Sequence, residues 1–133
     1  MTEPLFLDTD CLSTFLIVQR ENLVLQLYAG HIGIPQQVYV ELRAVHFMKS
    51  KVDALLQAGK IMLYQITAGT DEGDLYFKLT NRPDGGYKVI GSGEAAAIIL
   101  TKQYNGILGS NNMRDILPYI RLYHLQHRTS ADI

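Results

Sequence analysis

The chain has 133 residues, 47% of them hydrophobic, and this length and composition predict one globular domain with a buried core. Lys and Arg number 12 against 13 Asp and Glu, so the formal net charge of −1 excludes nucleic-acid binding through bulk positive charge, and any such contact must be local. The single Cys11 excludes an intramolecular disulfide, and no apolar run reaches membrane-spanning length, so we expect a cytoplasmic protein.

The first part of the chain predicts two short strands, each followed by a helix. The run PLFLD predicts the first strand, and Asp10 or Ser13 is expected to cap the helix that follows it. A further helix is predicted over ENLVLQLYA, and HIGIP predicts the second strand. In PQQVYVELRAV, three apolar residues recur at helical spacing and predict one buried face: Val38, Leu42 and Val45.

The remainder of the chain continues the alternation. FMKSKVDALLQAG predicts a helix ending at Gly59, KIMLYQI a third strand, and TDEGDLYFKLT a helix capped by Thr70 or Asp71. NRPDGG predicts an internal turn, and EAAAIILTKQY is a strong helix former. ILGS predicts the fourth strand, NMRDILPYIRLY a helix interrupted by Pro118, and HLQHR a last strand.

This alternation favours an α/β fold, a three-layer α/β/α sandwich around a central, mostly parallel sheet, formed by residues 1–133 as a single domain. Ligands of such sheets bind beyond the carboxyl ends of the strands. Asp8 lies at one predicted strand end, and residues 110–112 lie at another. The sequence therefore predicts a site at this edge of the sheet.

The stretch VIGSGEAAAIIL allows two interpretations. Gly91, Gly93 and Ala96 nearly form the glycine-rich loop that lets a backbone approach a dinucleotide pyrophosphate. That loop also requires an acid about twenty residues further on, where this chain has Asn111 and Met113. A nucleotide-binding enzyme is therefore the weaker interpretation.

The other interpretation concerns three acids in apolar surroundings. Asp8 ends the first predicted strand, Glu41 lies beside the apolar face of a helix, and Glu94 begins the alanine-rich helix. Three carboxylates brought together would repel one another unless a cation offset their charge, and oxygen ligands select Mg²⁺ or Mn²⁺. The sequence has no Cys/His spacing of the kind that binds zinc.

Four motifs in order carry a family resemblance: LFLDTDCLS, GIPQQVYVEL, GSGEAAAIIL and NGILGSNNMRDI. Together they cover essentially the whole chain and resemble the PIN-domain ribonucleases, including the toxins of VapC-type toxin–antitoxin pairs. The resemblance implies a three-layer α/β/α fold and Mg²⁺- or Mn²⁺-dependent hydrolysis of RNA phosphodiester bonds. It also implies frequent homodimerisation and, for a toxin, a small antitoxin protein as partner.

The resemblance assigns the three acids to catalysis and metal binding. Asp8 matches the first family acid, Glu41 the second and Glu94 the third, and Thr9 is the small hydroxyl neighbour expected to contact substrate. Family members also usually continue into a C-terminal helix, so this chain, which ends at TSADI, is expected to be short or truncated.

The fourth acidic position departs from the family pattern. After Ser110, where the family usually has one or two aspartates, this chain has Asn111 and Asn112, which removes at least one negative charge. Amide oxygens can still ligate a metal, and Asp115 lies on the same helix face and is a further candidate ligand. Ser110 and Arg114 are candidates for contacting RNA phosphates.

Because of the paired asparagines, a catalytically weak or inactive domain that binds RNA or a partner remains the alternative to a ribonuclease.

Overall fold

The structure is a computed structural model that describes residues 3–133. It contains five strands: β1 (Leu5–Leu7), β2 (Ile32–Pro35), β3 (Met62–Tyr64), β4 (Ile107–Gly109) and β5 (Gln126–Arg128). Seven α-helices alternate with them: α1 (Thr9–Ile17), α2 (Glu21–Leu27), α3 (Gln36–Leu42), α4 (His46–Gln57), α5 (Asp71–Asn81), α6 (Ser92–Tyr104) and α7 (Met113–Tyr123). Among these described residues, no helix is both long and apolar enough to cross a membrane.

All five strands are parallel and form one sheet in the order β3-β2-β1-β4-β5. Leu5 of β1 lies between Ile32 of β2 and Ile107 of β4, so β1 is the central strand. One core packs β1 and β2 against helices α1 to α4, and a second core packs β4 against α5 to α7. The predicted three-layer α/β/α sandwich is confirmed, and the carboxyl ends of β1, β2 and β4 share one edge.

The cap of α1 differs from the sequence prediction. Asp8 occupies the cap position and its Oδ1 accepts from the Cys11 amide at 2.9 Å, so neither Asp10 nor Ser13 caps this helix. Asp10 lies in the first helical turn, and the Ser13 hydroxyl donates to the Thr9 carbonyl at 2.7 Å. The reason is that β1 ends only two residues before the helix begins, which leaves Asp8 as the sole connecting residue.

Two further predictions were wrong. Helix α3 ends at Leu42, and Val45 is extended backbone with 47% of its surface exposed, so it does not continue the buried face. Pro118 does not interrupt α7, which runs through it. The proline is exposed, and both the donor that it lacks and the crowding by its ring affect the carbonyl of exposed Arg114, on the solvent side of the helix. Ile116 and Tyr119 hold the opposite face in the core.

Candidate functional site

Asp8 is the most deeply buried acid at the carboxyl edge of the sheet, with 1% of its surface exposed. Its amide donates to the Gly109 carbonyl at 3.0 Å, which fixes its backbone between the ends of β1 and β4. Oδ1 is held by the Cys11 amide, whereas Oδ2 is buried and has no hydrogen-bond partner among residues 3–133. An unpaired buried carboxylate oxygen is costly and marks a position where a ligand would be bound favourably.

The electrostatic surroundings of Asp8 oppose its ionisation. Burial raises the pKa of Asp8 to about 6, although the nearby Ser110 side chain and the Cys11 amide act in the opposite direction. The negative charges of Glu94 and Asp10 raise this pKa further. The Ser110 side chain therefore lies near the carboxylate but leaves Oδ2 without a completed hydrogen bond. A cation near Oδ2 would relieve the unfavourable charge.

Glu41 connects α3 to the beginning of α6. Its Oε1 accepts from the Ser92 hydroxyl at 3.0 Å and from the Gly93 amide at 2.9 Å. The first amides of a helix have no partners within the helix, and a carboxylate placed there is also favoured by the helix dipole. The sequence prediction placed Glu41 near Glu94, and the structure does so by making Glu41 a capping residue for the neighbouring helix.

Gly93 makes this close approach of α1, α3 and α6 feasible. A Cβ at this position would lie 2.6 Å from Thr9 Oγ1 and 2.8 Å from Glu41 Oε1, both far inside van der Waals contact. Thr9 Oγ1 is itself buried and has no hydrogen-bond partner within the described part of the chain. Gly93 is therefore required for space, a role that the sequence interpretation of a glycine-rich helix entry missed.

Glu94 is held by a chain of polar contacts that leads through Asn112 and Asp115 to Lys88. Its Oε1 accepts from the Gly91 amide at 3.3 Å, and its Oε2 accepts from Asn112 Nδ2 at 2.6 Å. The same Asn112 nitrogen donates to Asp115 Oδ2 at 2.9 Å, and Lys88 Nζ donates to Asp115 Oδ1 at 2.5 Å. The Lys88 ammonium therefore neutralises Asp115, the candidate source of the missing charge.

Lys88 was not identified from the sequence. It follows the NRPDGG turn in a segment with no helical or strand periodicity, so no local pattern marks it. The contacts of Lys88 and of Asn112 hold the pKa of Asp115 below its usual range. This ion pair brings the turn before α6 against the first turn of α7.

The other predicted site residues have different surroundings. Asn111 faces away from the acids, because its Oδ1 accepts from the Ser130 amide at 2.7 Å. Ser110 is buried at the end of β4, where its Oγ accepts from the Asn112 amide at 3.3 Å. Arg114 is exposed on α7, and its charge contributes to the lowered pKa of Asp115. The structure thus brings Asn112 into the site and separates Asn111 from it.

An open depression of about 130 Å³ lies over part of this site, and Asp8 is buried beside it rather than in its lining. Its lining residues are Thr9, Asp10, Glu41, Gly91, Gly93, Glu94 and Asn112. Across residues 3–133, no group of three or more His, Cys, Asp or Glu side chains is arranged to hold a metal ion. The donor that fits a divalent cation without losing a hydrogen bond is Asp8 Oδ2. Both oxygens of the neighbouring Glu94 already accept hydrogen bonds, and Glu41 accepts through Oε1 from α6.

Comparison with known proteins gives a structural match. No family model matches the chain, and no curated protein matches its sequence. A solved structure of FitAB bound to an IR36 DNA fragment is similar to this chain with a TM-score of 0.59, covering 97% of this chain and 96% of that one. At 12% sequence identity, this similarity shows the fold alone. The chain has the PIN-like α/β/α fold that its sequence predicts.

Proposed function

We propose that this chain is a Mg²⁺- or Mn²⁺-dependent endoribonuclease that hydrolyses phosphodiester bonds. The observation that carries the proposal is Asp8, a carboxylate buried at the end of the central strand with a free Oδ2 and a pKa raised to about 6. Strongly perturbed carboxylates in a strand-end cleft are typical of functional sites rather than of surface acids.

Three side chains supply the oxygen donors that such an ion needs. Asp8 offers Oδ2 and Glu94 lies close enough for its charge to act on Asp8. Both amide hydrogens of Asn112 are used by Glu94 and Asp115, so its Oδ1 remains as a further neutral donor. When bound, a divalent cation there supplies charge neutralisation for a phosphodiester and lowers the pKa of a coordinated water.

The remaining predicted site residues have supporting roles in this proposal. Glu41 fixes the first turn of α6 and thereby the backbone that carries Glu94. The Thr9 hydroxyl, which has no partner among residues 3–133, can donate to a phosphate oxygen, and Ser110 supports the adjoining Asn112 amide. Arg114, exposed beside Asp115, is assigned in this proposal to phosphates outside the depression.

The proposal extends to partners. A toxin role with an antitoxin protein, and a homodimer, are expectations from the motif resemblance. The solved structure that shares this fold holds FitAB on DNA, and this supports a role for the present chain in a complex that involves nucleic acid. The molecular mass in solution of the purified chain, alone and with a co-expressed partner, tests the homodimer and the partner separately from the nuclease activity.

The second candidate function is a catalytically weak or inactive domain that binds RNA or a protein partner. Two observations favour it. Asn112 already donates a hydrogen bond to Glu94 Oε2, and the described residues contain no group of three His, Cys, Asp or Glu side chains arranged to bind a metal. In this alternative, the Asn112 amide replaces the cation that would otherwise offset the negative charge.

One experiment separates the two candidates. Cleavage of a single-stranded RNA is measured with Mn²⁺ or Mg²⁺, with chelator, and with the variants Asp8→Asn and Asp74→Asn. Asp74 is an exposed acid in the first turn of α5, outside the depression, and serves as the matched control. Cleavage that requires metal and is lost only in Asp8→Asn supports the ribonuclease. No cleavage and no thermal stabilisation by Mn²⁺ in the wild type contradicts it and favours the binding domain.

A further inference from the structure

We propose that a second hollow, beside the candidate site, binds one unpaired nucleobase of a single-stranded nucleic acid. Its volume is about 240 Å³ and its lining residues are Gln36, Gln37, Val40, Glu41, Tyr76 and Ser92. We call it the Gln37 hollow. This inference rests on the proposed function, because it assigns the part of the substrate that lies next to the reacting phosphodiester.

The Gln37 hollow adjoins the acidic depression directly. Glu41 lines both, and the Ser92 hydroxyl that lines the hollow donates to Glu41 Oε1 at 3.0 Å. Helix α3 contributes one wall and Tyr76 of α5 the other. A chain whose phosphodiester lay over Asp8 and Glu94 would therefore place a neighbouring nucleotide at this hollow.

The charge of the hollow favours a nucleobase over a phosphate as its ligand. Of its lining residues, only Glu41 is charged, and no lysine or arginine is among them. A phosphate would meet a carboxylate with no cation to offset the repulsion. A nucleobase is uncharged and presents an aromatic face together with hydrogen-bonding edges, so it meets no such penalty.

Tyr76 and Val40 supply the flat and apolar surface. Tyr76 is half-buried and packs against the second core, but within residues 3–133 its ring forms no pair with another aromatic ring. Val40 is 41% exposed although it is a large apolar residue. An unpaired tyrosine at the wall of a cleft is suited to stacking on a base, which stabilises single-strand binding without requiring positive charge.

Gln37 supplies an unused acceptor. Its Oε1 is buried and has no hydrogen-bond partner in the described part of the chain. A buried amide oxygen without a partner is unfavourable, and because it is shielded from water, solvent does not compensate it. The amino and imino groups of a base edge are donors of the kind that this oxygen lacks. Stacking on Tyr76 and donation to Gln37 are two independent reasons to place a base here.

The test measures binding without metal, so that it does not depend on catalysis. Fluorescently labelled hexanucleotides of each base, as RNA and as DNA, are titrated with the protein in chelator and followed by anisotropy. The variants are Tyr76→Leu, Gln37→Leu and the matched control Phe77→Leu, which alters the next residue of the same helix, 66% exposed and outside the hollow.

We expect Tyr76→Leu to weaken binding about fivefold or more, and Phe77→Leu to leave it within about twofold. Gln37→Leu should reduce the preference among bases while the thermal unfolding temperature stays equal or rises, because the substitution removes an unpaired buried oxygen. A merely structural role for Gln37 would lower that temperature and leave base preference unchanged. The RNA and DNA arms identify which strand supplies the base.

Wild-type affinity in both Tyr76→Leu and Gln37→Leu would overturn the inference, as would failure of the wild type to bind any of the single strands. The outcome is distinguishable from that of the cleavage assay. Binding that depends on Tyr76 without any cleavage keeps the base site and contradicts the nuclease. If cleavage depends on metal but neither substitution alters the affinity, the result supports the nuclease and contradicts the base site.

Discussion

The side-chain amide of Asn112 donates to Glu94 Oε2 at 2.6 Å, and the same nitrogen donates to Asp115 Oδ2 at 2.9 Å. One neutral amide therefore bridges two carboxylates, one of which is neutralised by Lys88 on its other side. Hydrogen bonds to ionised groups are stronger than those between neutral groups, so this arrangement offsets part of the negative charge without a metal. We therefore expect the residue at position 112 to set how much a bound cation stabilises the folded protein.

Replacing Asn112 with aspartate should make the protein more dependent on metal. The substitution removes two hydrogen bonds and sets a third carboxylate beside Glu94 and Asp115, so the unfolding temperature in chelator should fall by several degrees. Mn²⁺ should then raise the unfolding temperature by more than it does in the wild type, since an ion that binds only the folded state stabilises it. Thermal unfolding with and without Mn²⁺ measures both effects.

Asn111→Asp is the matched control for that substitution. Asn111 accepts from the Ser130 amide through Oδ1, a bond that an aspartate can keep, and it faces away from Glu94. We expect its response to Mn²⁺ to equal that of the wild type. An equal response in Asn112→Asp and Asn111→Asp would show that Asn112 does not adjoin the cation site.

Asp8→Asn should stabilise the metal-free protein in a pH-dependent manner. Burial raises the pKa of Asp8 from 3.8 to about 6, so between these values the folded chain binds more protons than the unfolded chain and stability falls as the pH rises. Above pH 6 the ionised carboxylate costs about 2–3 kcal/mol, which asparagine avoids while it still accepts from the Cys11 amide.

The free energy of unfolding of wild type and Asp8→Asn, measured in urea at pH 4, 6 and 8 with chelator, checks this expectation. The difference should be small at pH 4, grow up to pH 6 and then remain constant. A variant that is less stable than the wild type at pH 8 would show that Asp8 contributes to the fold in its ionised form.

Gly93→Ala should disrupt the site by steric contact. The added Cβ would meet Thr9 Oγ1 and Glu41 Oε1 at 2.6 and 2.8 Å, so α6 must shift or lose the Glu41 cap, at about 1–3 kcal/mol of stability. Gly91→Ala is the control, because its Cβ would meet only Glu94 Oε1, at 3.5 Å. Urea unfolding of both variants tests the difference, and equal losses would contradict the proposed role of Gly93.

Lys88→Gln should raise the pKa of Asp115. The Lys88 contact, with a smaller contribution from Asn112, holds the pKa of Asp115 below its usual range. Removal of the ammonium should therefore bring this pKa most of the way back to its usual range. Carboxyl carbon NMR during an acid titration measures the pKa directly. Lys78→Gln is the control, since Lys78 pairs with Asp84 at 3.0 Å and should leave Asp115 unchanged.

Much of the fold follows from local sequence patterns. Short apolar runs alternating with helix-forming segments predicted the five strands and the three layers. The reason is that the spacing of apolar residues, which distinguishes strands from helices, is a property of residues close together in the sequence. The ends of elements were predicted less well. Asp8 rather than Asp10 caps α1, and Pro118 lies inside α7, since both depend on how tightly the elements pack rather than on local preference.

For the site, the sequence by itself determined which residues follow the central strands, and so it placed Asp8 and the asparagines at one edge of the sheet. Glu94, at the start of α6, was assigned to the same site from its apolar surroundings and the motif resemblance. Only the tertiary structure decided their partners. It turned Asn112 toward Glu94 and Asn111 toward Ser130, brought Lys88 to Asp115, and left no space for a side chain at Gly93. These contacts join residues distant in sequence, and their geometry is set by the packing of α3, α6 and α7, which no local pattern contains.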